Sequence, residues 1–265
     1  MTQKINILAL HGFTGCGGDF TGFSGLLGNA EAWHCPDLPG HGSAADLDSC
    51  PESTLAWVQS TSGPSNVLLG YSMGARAALL HATRFPEKWR ALILISANPG
   101  IESAAERAAR READERLAAR IEQEGTQTFL DYWQETPLIQ SQKRIRPDWR
   151  TKMQANRLQQ SPKGLANSLR QFGQGSCPNL WPEMKNLKMP VLLISGSEDQ
   201  KYSLIAERIC KDLKLAGNQA VEHAIIEGAS HMPHLERPAL SSKEIDQFLS
   251  RQLELPRSRA VDLKK

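Results

Sequence analysis

The stretch VLLGYSMGARAALL, residues 67–80, ends an apolar run on a glycine, boxes a serine between glycines and passes at once into helical spacing. Gly70-Tyr71-Ser72-Met73-Gly74 is G-x-S-x-G between a predicted strand and a predicted helix, the setting of a nucleophile elbow. The glycines are required because the turn is so tight that side chains beside the serine would collide. Such a corner would hold the Ser72 hydroxyl above the edge of a sheet. The Met73 N–H would then sit at a helix N-terminus, facing any oxyanion that forms there. Arg76 follows one helical turn later and shares that face.

Working outward, INILAL (5–10), ALILIS (91–96), PVLLISG (190–196) and AVEHAIIEG (220–228) join VLLG (67–70) as predicted strands. They are near-continuous apolar runs, as strands buried on both faces should be. Helical patterns over 74–84, 203–215 and 241–252 alternate with them, which predicts an α/β fold with a mostly parallel central sheet and helices on both faces. From about Glu102 to Gln174 no good strand pattern occurs. IESAAERAARREADERLAARIEQEG is rich in Ala, Glu and Arg and reads as helix. TFLDYWQ (128–134) and DWRTKMQANRLQQ (148–160) read as further amphipathic helices, punctuated by Pro137, Pro147 and Pro162. The expected organisation is a core formed by 1–100 and 175–255, a helical cap inserted at 101–174, and a frayed tail at 256–265.

The 265 residues include 31 basic and 29 acidic side chains, a formal charge of +2. That balance gives no case for a nucleic-acid footprint or a polybasic membrane patch. The apolar run in MTQKINILALHG is too short to span a bilayer and has no small-residue cleavage site after it, so it reads as a strand rather than a signal peptide. Cys16, Cys35, Cys50, Cys177 and Cys210 are scattered, odd in number and without a C-x-x-C pair. They argue against a zinc site or a disulfide framework and for a reducing, cytoplasmic setting.

A serine hydroxyl needs a base. EGASHMPHLERP places His231 just after the last predicted strand, and SGSEDQ places Asp199 just after PVLLISG. The order Ser…Asp…His is that of an α/β-hydrolase, and each residue falls at the C-terminal end of a strand, where open α/β sheets build their sites. Glu198 is the neighbouring rival to Asp199. His234 falls where the next helix should begin and reads as a rim residue. His11 and His41 lie in glycine-rich loops near the same edge and read as loop-shaping. His34, His81 and His223 fit strand or helix surfaces. The second oxyanion donor should come from the loop after the first strand, His11-Gly12-Phe13-Thr14-Gly15, where the Phe13 N–H is the candidate.

The chain resembles the α/β-hydrolase superfamily in LALHGFTG, PDLPGHG, GYSMG, SGSED and GASHMPHLERP. More narrowly it resembles the 2-succinyl-6-hydroxy-2,4-cyclohexadiene-1-carboxylate synthases of menaquinone biosynthesis. That likeness is carried by GYSMGAR, SANPGIESAAERAARREAD, FLDYWQ followed by PL, ANRLQQSPKGLANSLR and SEDQKY. Much of it lies in the insertion. One departure is Ala75, where the family often carries a second glycine; a methyl group is tolerated in a helix.

The resemblance implies a carbon–oxygen lyase rather than a hydrolase. The substrate is then a cyclohexene bearing a ring carboxylate, a succinyl side chain and an enolpyruvyl ether. A proton is removed next to the succinyl ketone, and pyruvate is expelled. Ser72 and His231 would supply the base, Asp199 would orient the imidazole, and the Phe13 and Met73 amides would hold the enolate oxygen. No acyl-enzyme, metal or cofactor is required. Arg76, Arg110 and Arg157 would clamp the small-molecule tricarboxylate, since guanidinium matches carboxylate geometry. Tyr71 and Trp133 would line the ring pocket.

Taken without the resemblance, the residues allow blander readings. Arg107, Arg110, Arg111, Arg116 and Arg120 share one helix with interleaved acids, and most such pairs are solvated and worth little. Trp133 alone would more often be packing than ligand contact. A serine carboxylesterase or thioesterase on the same scaffold, and a non-catalytic small-molecule receptor, are the alternative functions. An esterase for neutral acyl groups has no need of three pocket cations, and a receptor has no need of an intact Ser72, Asp199 and His231.

Overall fold

Successive side chains along a strand point to opposite faces of a sheet, so a continuous apolar strand needs a core on each face, and this sheet has one on each. A computed structural model describes residues 4–28 and 30–253. Its strands are β1 (Asn6–Leu10), β2 (Ala32–His34), β3 (Val67–Tyr71), β4 (Ala91–Ile95), β5 (Val191–Gly196) and β6 (Val221–Ile226). They form one sheet in the order β2-β1-β3-β4-β5-β6, and every pairing is parallel. Leu8, Leu68, Leu92 and Leu193 point to one face; Ile7, Leu69, Ile93 and Ile194 point to the other.

The helices longer than two turns are α1 (Pro51–Thr61), α2 (Met73–Arg84), α3 (Ala104–Trp133), α4 (Pro147–Leu158), α5 (Pro162–Phe172), α6 (Gln200–Leu215) and α7 (Pro238–Gln252). Helices α2 and α6 cover the first face through Leu79, Ile209 and Leu213. Helix α7 covers the second through Ile245, Phe248 and Leu249. Pro147 and Pro162 each occupy the first turn of a helix, where the missing N–H costs nothing. Between β4 and β5 every described helix or strand is helical. A small separate core of Ile121, Phe129, Leu165 and Leu169 holds α3 against α5.

Several local expectations need correction. Strand β2 has only three residues, AWH, with two of them exposed at the sheet edge, so it carries no apolar run to read. By contrast, the expected break between the stretches 101–125 and 128–134 is present: α3 is interrupted at Gly125, whose φ of 79° and ψ of 169° are not helical. His81 is fully buried rather than on a surface; Trp89 donates to its Nδ1 at 3.0 Å. The tail expected at 256–265 lies outside the described residues. No helix among the described residues is long and apolar enough to cross a membrane.

The topology fixes where a site can lie. The chain leaves β1 toward β2 on one side and returns to β3 on the other. In open α/β sheets that reversal opens a crevice at the carboxyl ends of the strands. Helix α2 starts there, and a Cβ on Gly74 would overlap the carbonyl of Leu10 at the end of β1. Gly74→Ala is therefore expected to lower stability by ~1–3 kcal/mol through overpacking against backbone. Urea denaturation would show a lower midpoint at an unchanged slope; an unaltered midpoint would mean that the two elements can part without cost.

Candidate active site

The corner after β3 delivers Ser72 with φ 52° and ψ −106°, left-handed for a residue that carries a Cβ. Its N–H donates to the Ile95 carbonyl at 3.0 Å, so sheet pairing continues into the turn. A Cβ on Gly70 would lie 2.5 Å from the Gly74 carbonyl oxygen, and one on Gly12 would lie 2.6 Å from the Tyr71 ring. The two approaches are possible only because those positions lack side chains.

His231, on the loop after β6, has Nε2 3.1 Å from Ser72 Oγ and Nδ1 2.7 Å from Asp199 Oδ2. Asp199 caps α6, its Oδ1 accepting from the Tyr202 N–H at 3.4 Å. This cap explains why α6 begins at Gln200, earlier than its apolar pattern suggests. The rival acid Glu198 points away and pairs with Arg144 at 2.6 Å. His234 is not on the rim: it is 1% exposed and stacks on Phe20 with ring centroids 5.6 Å apart.

Phe13 stands in a turn closed by the Gly15 N–H to the Gly12 carbonyl at 3.0 Å. His11 fixes that turn from behind. Its Nε2 accepts from the Leu38 N–H at 2.8 Å, so Nδ1 carries the proton and donates to the Gly12 carbonyl at 2.9 Å. Burial lowers the His11 pKa and so favours the neutral ring that this arrangement needs. Met73 is the first residue of α2, so its N–H is one of the helix's unpaired terminal donors.

Two cavities meet at Ser72, His231, Phe13 and Trp133. The larger, about 530 Å³, also takes in Met73, Arg76, Arg110, Lys201 and Tyr202. The smaller, about 40 Å³, takes in Tyr71, Gln142, Arg157 and His234. Asp199 lines neither and sits behind the imidazole. The structure thus brings every other sequence-predicted site residue to one crevice, with the arginines divided between its two arms.

The arginines differ in how they are held. Arg76 is buried; its Nη2 donates to the Phe172 carbonyl at 3.1 Å, and its Nε has no hydrogen-bond partner among the described residues. Arg157 is buried too, with Nη1 donating to Gln142 Oε1 at 2.8 Å and Nε likewise unpartnered. Burial lowers its pKa from the ordinary value. Arg110 is tied on both sides, to Asp114 at 2.8 Å and Gln174 at 3.0 Å. Gln142, Gln174 and Tyr202 join the site beyond the residues expected from sequence. Tyr202 alone carried a signal, in SEDQKY; nothing local marks the two glutamines.

The alpha/beta hydrolase family profile matches residues 7–241, and the chain belongs to that family. A putative 2-succinyl-6-hydroxy-2,4-cyclohexadiene-1-carboxylate synthase of Bacillus subtilis (strain 168) is 35% identical over 252 residues, 92% of this chain and 90% of the relative. A synthase of the same name from Serratia proteamaculans (strain 568) is 27% identical, covering 85% of this chain and 90% of its own. The solved structure of MenH from S. aureus has a TM-score of 0.84 at 29% identity, over 94% of this chain and 95% of that one. Within the wider family, the chain is a member of this group of enzymes.

The buried imidazoles give a pH prediction. Burial holds His41 and His234 at about 3, against 6.5 for a free side chain. Between those values the unfolded chain binds more protons than the folded one, so stability falls as pH drops below about 6.5. Each such histidine contributes ~1.4 kcal/mol per pH unit in that window. Urea titrations between pH 6 and 4.5 should show His234→Phe, which fits among Phe20, Phe23 and Tyr71, with a slope shallower by about one proton. An unchanged slope would mean that His234 is already protonated in the folded protein.

Proposed function

We propose that the chain is the carbon–oxygen lyase that converts 2-succinyl-5-enolpyruvyl-6-hydroxy-3-cyclohexene-1-carboxylate to 2-succinyl-6-hydroxy-2,4-cyclohexadiene-1-carboxylate and pyruvate, a step of menaquinone biosynthesis. What supports this above all is the pairing of a hydrogen-bonded Ser72–His231–Asp199 set with buried arginines in one crevice. The names of the relatives point the same way.

The geometry supports the following chemistry. His231 Nε2, through Ser72 Oγ, takes the ring proton next to the succinyl ketone. The electron pair moves onto the ketone oxygen, where the Phe13 and Met73 N–H groups are its donors. Collapse of that enolate shifts the ring double bond and breaks the bond to the enolpyruvyl oxygen. Enolpyruvate leaves, gains a proton on carbon and becomes pyruvate. Asp199 holds His231 in the tautomer that accepts at Nε2 and stabilises the imidazolium that forms. Arg76, Arg110 and Arg157 hold the carboxylates, and Tyr71 and Trp133 flank the ring. Residues 101–174 act as a cap over the crevice, contributing Arg110, Trp133 and Arg157. The five free cysteines fit a reducing, cytoplasmic setting.

A serine carboxylesterase or thioesterase would use the same three residues, with Ser72 as nucleophile. Buried cations whose Nε atoms have no partner among the described residues favour an anionic substrate instead.

Pyruvate release, coupled to NADH oxidation with a no-enzyme control, tests the reading. Ser72→Ala should lower the rate by ~10²–10⁴-fold with the fold intact. No acceleration by wild type, with turnover of a p-nitrophenyl ester instead, would establish the esterase. Arg110→Ala and Arg157→Ala should each lower kcat/KM by roughly 10–100-fold, the worth of one hydrogen bond to a charged group. A variant that matches wild type would remove that arginine from the binding set.

A further inference from the structure

His231 hangs on a loop, and a loop holds an imidazole within hydrogen-bond tolerance only if its backbone is fixed by neighbours. Ser96 Oγ donates to the His231 carbonyl at 2.8 Å. Glu236, in the short helix Pro233–Glu236, grips both sides of the histidine. Its Oε2 accepts from the Ser230 N–H at 2.9 Å and its Oε1 from the Met232 N–H at 3.0 Å. The side chain is 0% exposed. A carboxylate can meet each flanking amide with a separate charged oxygen, which makes both hydrogen bonds strong.

The same carboxylate is bound from the helical insertion. In the 3₁₀ turn Ser141–Arg144, Ser141 Oγ donates to Glu236 Oε1 at 2.9 Å. Arg144 Nη1 lies 3.8 Å from Glu236 Oε2 and donates to the Gly228 carbonyl at 3.2 Å. Arg144 Nη2 lies 2.6 Å from Glu198, the residue before Asp199. Glu198 in turn ties the two loops together, its N–H donating to the Ala229 carbonyl at 3.0 Å. Between these residues, Gln142 accepts from Arg157. One turn of the insertion therefore touches the histidine loop, the aspartate loop and a candidate carboxylate clamp.

We propose that Glu236 is the positioning residue for His231 and that Ser141 and Arg144 hold its carboxylate in place. This rests on the reading of Ser72, His231 and Asp199 as the catalytic set. It does not rest on the identity of the substrate.

The test compares wild type, Glu236→Gln, Ser141→Ala/Arg144→Met and the triple variant, with folding followed by circular dichroism melts. Two rates are measured. One is pyruvate release, resolved into kcat and KM. The other is modification of Ser72 by a fluorophosphonate, in which the serine oxygen bonds phosphorus, fluoride leaves and His231 takes the serine proton. Glutamine keeps the shape of Glu236 but turns an NH₂ toward one backbone N–H. Glu236→Gln should lose about 10²-fold in both kcat and modification rate with KM little changed, as a misplaced base would. Ser141→Ala/Arg144→Met should lose about 10-fold alone and almost nothing on top of Glu236→Gln, because coupled residues are not additive. A folded Glu236→Gln protein modified at the wild-type rate would overturn the proposal. So would wild-type modification of Ser141→Ala/Arg144→Met, and that variant decides the matter if Glu236→Gln fails to fold. If no protein releases pyruvate, the lyase reading fails while the modification rates still test the positioning of His231.

Discussion

Ser72 occupies a backbone conformation that costs of order ~1–3 kcal/mol for a residue with a side chain. The strain persists because both neighbours are immovable. Before it, β3 is buried along its whole length and paired on both sides. After it, every residue of α2 except Arg84 is buried. Helix α2 can reach that depth only with small residues facing the sheet, which is why Gly74, Ala75, Ala77 and Ala78 follow the serine. The alanine at 75, a departure from the family pattern, is completely buried there. Once α2 lies that deep, Arg76 has nowhere to go but into the crevice beside Ser72.

The crevice and the helical insertion are not independent bodies. Phe13, whose amide is the candidate oxyanion donor, packs its ring against both the main core and the small core of the insertion. The ring sits edge-on to Trp133 at 5.8 Å and to Phe129 at 6.1 Å. On the other side, His11 pins the Gly12 carbonyl and Leu38. The loop that must offer an N–H at a fixed point is thus stiffened from the core side by an imidazole and from the insertion side by aromatic rings. Preorganised donors of this kind need no reorganisation when charge develops.

The α/β architecture was legible because β1, β3, β4 and β5 are near-continuous apolar runs, and the intervening helices have their own period. Ala32–His34 was not, because a short exposed edge strand needs no apolar signature; its existence depends on Asn6–Leu8 lying beside it. The break at Gly125 was legible because a glycine closes the Ala/Glu/Arg stretch there, and glycine is a poor helix former that readily takes a positive φ. At the site, residues at strand ends could be placed from topology, since Ser72, Asp199 and His231 each follow a strand. The i, i+4 spacing of Arg110 and Asp114 was also readable as a pair. What sequence does not carry is the tertiary partner. Gln142 reaches Arg157 across 15 residues, and Gln174 reaches Arg110 across 64. The burial of His234 likewise depends on Phe20 and Phe23, more than two hundred residues away in sequence.

The arginines show why residue type alone could not separate binding groups from surface charge. Arg120 pairs with Glu124 at 2.8 Å and lies over the Tyr132 ring, and Arg116 faces Glu112 at 4.0 Å. Both are solvated, so their pairs contribute little. Arg76 and Arg157 are the opposite case. Taking a guanidinium out of water costs several kcal/mol, and neither is hydrogen-bonded to a carboxylate among the described residues, although Asp19 lies near enough to Arg157 to offset part of its burial. Each is met by a neutral acceptor, the Phe172 carbonyl for one and the Gln142 amide for the other. A neutral acceptor orients a cation without cancelling its charge. That leaves the Arg76 charge, and the part of the Arg157 charge that Asp19 does not offset, available to an anionic ligand in the crevice. A chain that wanted only stability at these positions would place an apolar side chain there, so the cost is intelligible as one of binding.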